Sequence, residues 1–439
     1  MSDWNEFIVA DVAAQVRNAL VGGPFGSNLV SNDYVPFGVP VIRGQNMGLG
    51  KWVAGDFVFV SEEKAQTLAA NLARPSDLIF TQRGTLGQVA IVPHGEFDRY
   101  VVSQSQMKLT VDPNKADAHF LYYYFSSREQ MEYIRQNSIQ TGVPHTNLSI
   151  LRNTPLYLPQ PDEQREIAGI LGSLDDKIAL NRRMNAALEA TARALFQSWF
   201  VDFDPVRAKA EGRQPEGMDA ETAALFPDSF EESALGWIPS GWGVGTVGSV
   251  ANFNTWTLSK RDALDTIEYI EISEVQRGNI NSTQSYFRGE EPSRARRRLR
   301  HGDTVLSTVR PDRGAYFLCL NPSTHLIAST GFAVFTPNNP YWSFVHTAII
   351  RDDVFERLGA LADGGAYPAI APEVIAGLPI ILPSEQIAAA FHMICAPFYE
   401  QAEHSRNESR KLAEMRDALL PKLISGEVRV GDYISEGNQ

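Results

Sequence analysis

Arg74-Pro75-Ser76-Asp77-Leu78-Ile79-Phe80-Thr81 and, 226 residues further on, Arg300-His301-Gly302-Asp303-Thr304-Val305-Leu306-Ser307 share one pattern. Each places a basic residue, a two-residue spacer and an aspartate before an apolar run that closes on a hydroxyl. The apolar run reads as strand-like. The match extends in both directions. Trp4 and Val12 return with the same spacing as Trp242 and Val250. Ile42-Arg43-x-x-Asn46-Met47 returns as Ile270-Glu271-x-x-Glu274-Val275, and Ser103 returns as Ser329. Pro144, Pro155, Leu158 and Pro159 map onto Pro368, Pro379, Leu382 and Pro383, and Glu163-Gln164 maps onto Glu385-Gln386. The offsets drift only from 238 to 222, so the chain reads as one unit written twice.

Each unit ends in a helical pattern with alternating four- and three-residue apolar spacing, which keeps one seam toward a partner and implies a left-handed coiled coil. The first seam is Ile167, Leu171, Leu174, Ile178, Asn181, Asn185, Leu188, Ala192, Leu195 and Trp199. The second is Phe391, Cys395, Phe398, Ala402, Ser405, Ser409, Leu412, Arg416, Leu419 and Leu423. Both are polar at their midpoints. If the helices pair antiparallel these midpoints meet and fix the register at a cost in stability; if the helices bow apart there, the same residues are simply solvated. Residues 1–160 and 242–384 are rich in Val, Ile, Phe, Tyr and Thr in short runs broken by Gly, Pro and Asn, which predicts twisted sheet with a few helices. One helix is expected over His119–Gln136. Pro, Gly and acidic residues crowd 205–241, which reads as a linker over the surface. The expected fold is therefore α+β. Two similar α/β domains, 1–160 and 242–384, are separated by two long antiparallel helices, 161–204 and 385–439, and related by a pseudo-two-fold repeat.

The chain has 439 residues, 44% hydrophobic and 21% charged, in the range of folded globular proteins of two or more domains. The N-terminus lacks a signal-peptide pattern and no run approaches a membrane span, so the chain reads as cytoplasmic. Two cysteines, Cys319 and Cys395, are too few for a disulfide framework and lack zinc-site spacing. A net charge of −13 argues by itself against binding a polyanion. The two large segments are nevertheless near neutral. Most of the acidic excess lies in 161–205, 206–240 and 385–439, which is compatible with locally basic faces.

Catalytic patterns are missing. Gly50-Lys51-Trp52 is the nearest approach to a phosphate-binding loop and lacks the hydroxyl that would hold magnesium. Asn339-Pro340-Tyr341, Asn321-Pro322-Ser323 and Asp204-Pro205-Val206 each miss the loop an amino-methyltransferase uses. Asp162 and Asp175-Asp176-Lys177 formally suggest a nuclease, but on one helix Asp162 and Asp175 lie ~20 Å apart, too far to share an ion. No metal or cofactor site is expected in this chain.

Binding chemistry remains. Arg294, Arg296, Arg297, Arg298 and Arg300 crowd five guanidinium groups into seven residues, followed by Arg310 and Arg313. Phosphates are their natural counter-charge, although a solvated basic edge strand, partly neutralised by Glu290 and Glu291, has the same appearance. In the first unit Arg43, Gln45 and Asn46 are types that pair bidentately with guanine and adenine edges. Arg74, Arg83 and Thr85 follow, and Thr141-Gly142-Val143-Pro144-His145-Thr146-Asn147 forms a polar loop contributing His145 and Asn147. As turn residues, most have an equally good structural reading.

The pattern resembles the DNA-specificity subunits of type I restriction-modification systems over essentially the whole chain. The resemblance rests on Leu158-Pro159-x-x-x-Glu163-Gln164, Asp175-x-x-Ile178-x-x-Asn181, Trp199-Phe200-Val201-Asp202-Phe203-Asp204-Pro205, Leu225-Phe226-Pro227-Asp228-Ser229-Phe230, Gly236-x-Ile238-Pro239-x-Gly241-Trp242, Leu382-Pro383-x-Glu385-Gln386 and Leu419-Leu420-Pro421-Lys422-Leu423-x-x-Gly426. It implies a non-catalytic subunit whose two target-recognition domains each read half of a split, asymmetric site on double-stranded DNA. The helices would act as spacer and as docking surface for two methylation subunits. Those partners would bind S-adenosylmethionine and methylate adenine, and a restriction and translocase subunit would join them. The acidic total would follow from partners supplying much of the phosphate contact. A different class, a freestanding DNA-binding or scaffold protein without an associated methyltransferase, predicts no partner surface on the helices. Phe196, Phe200 and Phe203, outside the seam, are expected to form such a surface.

Overall fold

A computed structural model describes residues 4–48, 50–140, 144–362 and 368–430. It divides into two units: Met1–Ala179 with Ser409–Gln439, and Leu180–Glu408. Thr141, Gly142 and Val143 of the predicted polar loop lie outside the described residues.

In the first unit the turn aspartate, Asp77, accepts from the Arg74 N–H (2.8 Å) and launches the strand Leu78–Thr81. That strand lies antiparallel between Gln106–Leu109 and Val89–Ile91, with Leu20–Gly22 on the far side of Gln106–Leu109. A second sheet centres on the parallel pair Val39–Ile42 and Tyr100–Val102. Asn5–Ile8 pairs with Pro155–Leu158 immediately before the first long helix, Pro161–Phe200.

The second unit repeats the centre of this plan. Asp303–Ser307 lies between Phe332–Pro337 and Tyr316–Cys319, with Ala251–Phe253 beyond. Thr266–Ile270 runs parallel to Leu326–Ser329, and Gly243–Thr246 pairs with Pro379–Leu382 before the second long helix, Glu385–Ile424. The register is kept as well: Ile79 faces Lys108 as Val305 faces Val334. The repeat read from scattered sequence matches is thus a repeat of hydrogen-bonded partners.

Three expectations change. The helix expected over His119–Gln136 is two helices, Ala118–Ser126 and Arg128–Gln136. Ser127 leaves the helical region and accepts from the Gln130 N–H (3.3 Å), capping the second at the cost of the first. Residues 205–241 are not a surface linker. They form helices Asp204–Ala210 and Ala220–Leu225 and the hairpin Phe230–Ser233/Gly236–Pro239. They also bury Val206, Phe226 and Ile238 in the second unit's core. Finally, Phe196, Phe200 and Phe203 do not present an outer surface. All three are buried against Trp242, Phe344, Phe391 and Phe230, because the chain turns at a left-handed Phe203 (φ 57°) and folds back over the helix end.

Both units contain an antiparallel helix pair. In the first, Asp175 pairs with Arg416 (2.6 Å), while Ile167 and Leu171 share a core with Leu423. In the second, Asn181 Nδ2 donates to the Ser405 carbonyl (3.4 Å) and the Glu408 carboxylate (2.7 Å), and Trp199 packs on Phe391 at the other end. Asn181 and Ser405 are 0% and 1% exposed, so the polar midpoints are buried and not solvated. Leu174, Asn185, Leu188, Leu195, Phe398, Ser409, Leu412 and Leu419 are likewise all buried or half-buried. Among the described residues no helix is long and apolar enough to cross a membrane.

The two turn aspartates differ in partner. Asp77 forms a buried ion pair with Lys108 (3.3 Å). The position that corresponds to Lys108 is Val334, and among the described residues the Asp303 carboxyl accepts from the Thr336 hydroxyl (2.7 Å) and the Arg300 N–H (2.7 Å). Burial pushes its pKa up to about 6. A folded-state value above the unfolded one stabilises the fold fully below about pH 4, and that contribution is lost as pH rises through 6. Asp303→Asn should therefore match the wild type in acid and exceed its unfolding free energy by about 3 kcal/mol near pH 8. Denaturant midpoints at several pH values check this; a pH-independent difference contradicts it.

Candidate nucleic-acid interface

The parallel strand pair of each unit ends in a turn on which several polar segments converge. In the first unit this turn is Ser103–Ser105. The Ser103 N–H donates to the Ile42 carbonyl (3.1 Å), beside Arg43, and the Gln82 N–H donates to the Ser105 carbonyl (2.7 Å). The Thr146 N–H donates to the Gln82 carbonyl (3.0 Å), and Arg83 bridges His145 through the backbone. The approach is so close that a Cβ on Gly23 would sit 1.9 Å from the Ser103 carbonyl oxygen.

The second unit builds the same crossing at Thr330-Gly331. The Thr330 N–H donates to the Arg294 carbonyl (2.8 Å), and the Thr308 N–H donates to the Gly331 carbonyl (2.9 Å). The Arg310 N–H donates to the Pro368 carbonyl (2.7 Å), and the Arg277 N–H donates to the Gly314 carbonyl next to Arg313 (3.0 Å).

The predicted residues divide accordingly. Arg43, Arg83 and His145 meet around the first turn, with Gln45 and Thr85 exposed on adjoining segments. Arg74 stands at the opposite end of the strand Leu78–Thr81, away from Arg83. Asn46 is not a binding residue: its buried amide donates to the carbonyls of Ala54 and Asp56 (3.0 Å each) and accepts from the Arg43 N–H (3.0 Å), leaving no capacity for a base. Asn147 is likewise occupied, its side-chain oxygen capping the helix Leu148–Arg152 through the Ile150 N–H (2.9 Å).

The Arg294 carbonyl holds the second turn, Arg310 follows the turn-bound Thr308 in a left-handed conformation (φ 47°), and Arg313 is exposed on the segment that comes next. Of the arginine run, Arg296 pairs with Glu291 (3.5 Å), which also pairs with Arg288. Arg298 is sealed between Asp262 and the Trp256 ring (3.9 Å to its centroid), so its charge is spent inside the unit. Arg300, also over Trp256 (4.7 Å), lies beyond the strand Ala295–Arg298 on the side away from Thr330. Nor is that strand a free edge: the Arg298 N–H donates to the Trp256 carbonyl (3.0 Å), and the Leu258 N–H donates to the Arg296 carbonyl (2.7 Å). Arg297 alone in the strand has no acid, and burial lowers its pKa.

The acids weighed as a nuclease centre are otherwise engaged. Asp175 accepts from the Tyr123 hydroxyl (2.7 Å) and pairs with Arg416, Asp176 pairs with Lys51 (3.2 Å), and Asp162 pairs with Arg165. Among the described residues no group of three or more His, Cys, Asp or Glu is placed to hold a metal.

Residues 1–190 match the family model described as "Type I restriction modification DNA specificity domain". The type I restriction enzyme HindI specificity subunit of Haemophilus influenzae is 25% identical, over 98% of this chain and 100% of that one. The MjaIX specificity subunit of Methanocaldococcus jannaschii is 20% identical, over 84% and 82%. By these matches the chain is similar to type I restriction enzyme specificity subunits. Its fold is also that of the crystal structure of the type I system S subunit from M. genitalium (TM-score 0.58, 16% identity, 96% of each chain).

Within this chain the sequence motifs do structural work. Gln164 is fully buried; its oxygen accepts from the Asp117 N–H (2.9 Å) and its nitrogen donates to the Pro159 carbonyl (2.9 Å), fastening the start of the long helix to the sheet domain. Asp175, Ile178 and Asn181 face the second helix. Trp199, Phe200, Phe203, Phe226 and Trp242 make one aromatic core. Sequence reasoning missed Gln82, Gln104 and Ser105 at the first turn and Thr330 at the second. The polar run Ser103-Gln104-Ser105-Gln106 between two strand-like stretches was the available signal. The division predicts that Asn46→Ala lowers stability by about 1–3 kcal/mol, since it removes the buried amide that joins the Arg43 N–H to the Ala54 and Asp56 carbonyls, whereas Gln45→Ala, which removes one exposed hydrogen bond to an Asp56 carbonyl that Asn46 still satisfies, changes it by less than about 0.5 kcal/mol. Equal losses in urea melts would reject the distinction.

Proposed function

We propose that this chain is the sequence-reading, non-catalytic subunit of a type I restriction-modification enzyme, each unit reading one half of a split, asymmetric site on double-stranded DNA. The observation that carries the reading is that one strand plan is built twice around a polar turn, with unlike side chains at the two turns. Arg43, Gln45, Arg83 and Thr85 serve one; Arg294, Arg297, Arg310 and Arg313 serve the other. Equal frames with different donors suit two half-sites of different sequence.

The partners in this reading are two methylation subunits, which bind S-adenosylmethionine and transfer its methyl group to adenine, and a restriction and translocase subunit. Exposed apolar residues on the long helices, Ile170 and Met415 in the first unit and Leu180, Met184, Met393 and Ile394 in the second, support docking there. Such residues are not what a freestanding DNA binder needs. Incubating the chain with labelled methyl donor and DNA, with and without the methylation partner, tests the assignment. Transfer is expected only in the mixture, and transfer by the chain alone rejects it.

The seams continue through helices of 40 residues each, about 60 Å at 1.5 Å per residue. In this reading helix length sets the gap between half-sites. Deleting one heptad from both helices, which preserves the seam, is expected to shorten the preferred gap. An unchanged gap in a binding selection from randomised DNA removes the ruler role.

A further inference from the structure

Each unit holds one arginine with an unusual environment. Arg43 Nε and Arg297 Nε are sealed from solvent and have no hydrogen-bond acceptor among the described residues. Neither guanidinium has a carboxylate partner. Arg43 rests near the face of Tyr34 (6.0 Å to the ring centroid), and Arg297 projects from a strand whose neighbours Arg296 and Arg298 are held by Glu291 and Asp262. Arg406 Nε is also sealed and unpaired, but its terminal nitrogens meet Glu189 and Glu403, and Arg298 and Arg416 likewise meet acids, so the missing counter-charge is what sets Arg43 and Arg297 apart from these three. A sealed donor left unmade destabilises the fold, and a half-buried cation without a counter-charge adds to that.

Both arginines stand at the crossing just described. Arg43 follows Ile42, whose carbonyl holds Ser103. Arg297 faces Ala328 across the ladder, close to Thr330-Gly331, and Arg294 of the same run holds Thr330. With Nε fixed inside, the two terminal nitrogens of each fork are the donors left for a ligand, and their orientation is already restricted. A stiff planar fork, partly stripped of water and lacking an acid, suits two acceptors side by side on a flat edge. Guanine O6 and N7 in the major groove present that pair. Phosphate contacts, by contrast, are served by exposed cations such as Arg83 and Arg313.

We propose that Arg43 and Arg297 are specificity-determining residues, one for each half-site, and that each reads a guanine through its guanidinium fork. This rests on the DNA-reading function proposed above and adds the base and the residue that reads it.

The test is selection from a randomised duplex pool by the full chain purified with its methylation partner, comparing wild type, Arg43→Lys and Arg297→Lys. Lysine keeps the charge and removes the fork. Arg43→Lys is expected to relax one G·C position in one half-site by about 10- to 100-fold and to leave the other half-site unchanged. Arg297→Lys is expected to do the same in the other half-site. A uniform loss of binding with both half-sites intact marks phosphate contacts and overturns the proposal, as does an unchanged selection. Melting temperatures supply an independent reading. Arg43→Met and Arg297→Met remove a sealed, unmade donor and are expected to hold or raise the melting temperature. A fall of several degrees in either would assign that arginine to structure. If the wild-type complex enriches no motif, the failure belongs to the DNA-reading function itself, and this inference falls with it.

Discussion

The structure depends on burying one face of two 40-residue helices. Neither seam can stay in water, and each holds apolar side chains over most of its length. At the polar midpoints the Asn181 amide nitrogen reaches the Ser405 carbonyl and Glu408, while Asn185 Oδ1 is buried with no donor among the described residues, so these positions fix the register at a cost in stability. Charged contacts repeat the logic toward each unit's sheet domain. Asp175 joins Tyr123 and Arg416 in the first, and Glu189 joins Arg406 in the second. Pairing thereby fixes which part of each helix faces which part of the other, and through the aromatic core at Trp199 it fixes the sheet domain as well.

The sheets show how a duplicated frame diverges. Asp77 and Asp303 perform the same local task, accepting the N–H three residues back and starting the same strand. One has an ammonium beneath it and the other a valine. The turn geometry therefore tolerates either a buried ion pair or a buried carboxyl with a raised pKa, and the demand of the frame is for the acceptor and not for its charge.

Much of this was legible in the sequence because it rests on periodicity and spacing. The repeat, the seams and the helix starts depend on side chains recurring at set intervals, and those intervals carry straight into backbone pairing. What was not legible depended on choices between equivalent polar groups. Asn46 and Gln45 are adjacent, and in the sequence both suit an adenine edge; only the folded chain shows that Asn46 is used up by Ala54 and Asp56. Arg297 and Arg298 are adjacent on a strand whose faces alternate. One meets Asp262 across 36 residues of chain, and the other meets no acid. Residues 205–241 misled for a different reason. Pro, Gly and acids mark turns equally well when the turns join packed elements, and the buried residues Val206, Phe226 and Ile238 were sparse enough to be outvoted by composition.

The two sealed arginines occupy different places in the repeat. Position 43 of the first unit corresponds to Glu271 in the second, and position 297 corresponds to Asn71 in the first, whose amide is bound to the Gly22 carbonyl (2.7 Å). Under the proposed reading, divergence between the units did more than exchange one side chain for another at a fixed point. It moved the stiff cation from the end of the parallel strand to a neighbouring strand, while the turn between them stayed in place. A frame that keeps its crossing and relocates its cation changes which base step lies under the fork as well as which base is accepted there. Two such units carry two surfaces that differ in geometry as well as in chemistry, which is what the proposed asymmetric site would require of a reader made by duplication.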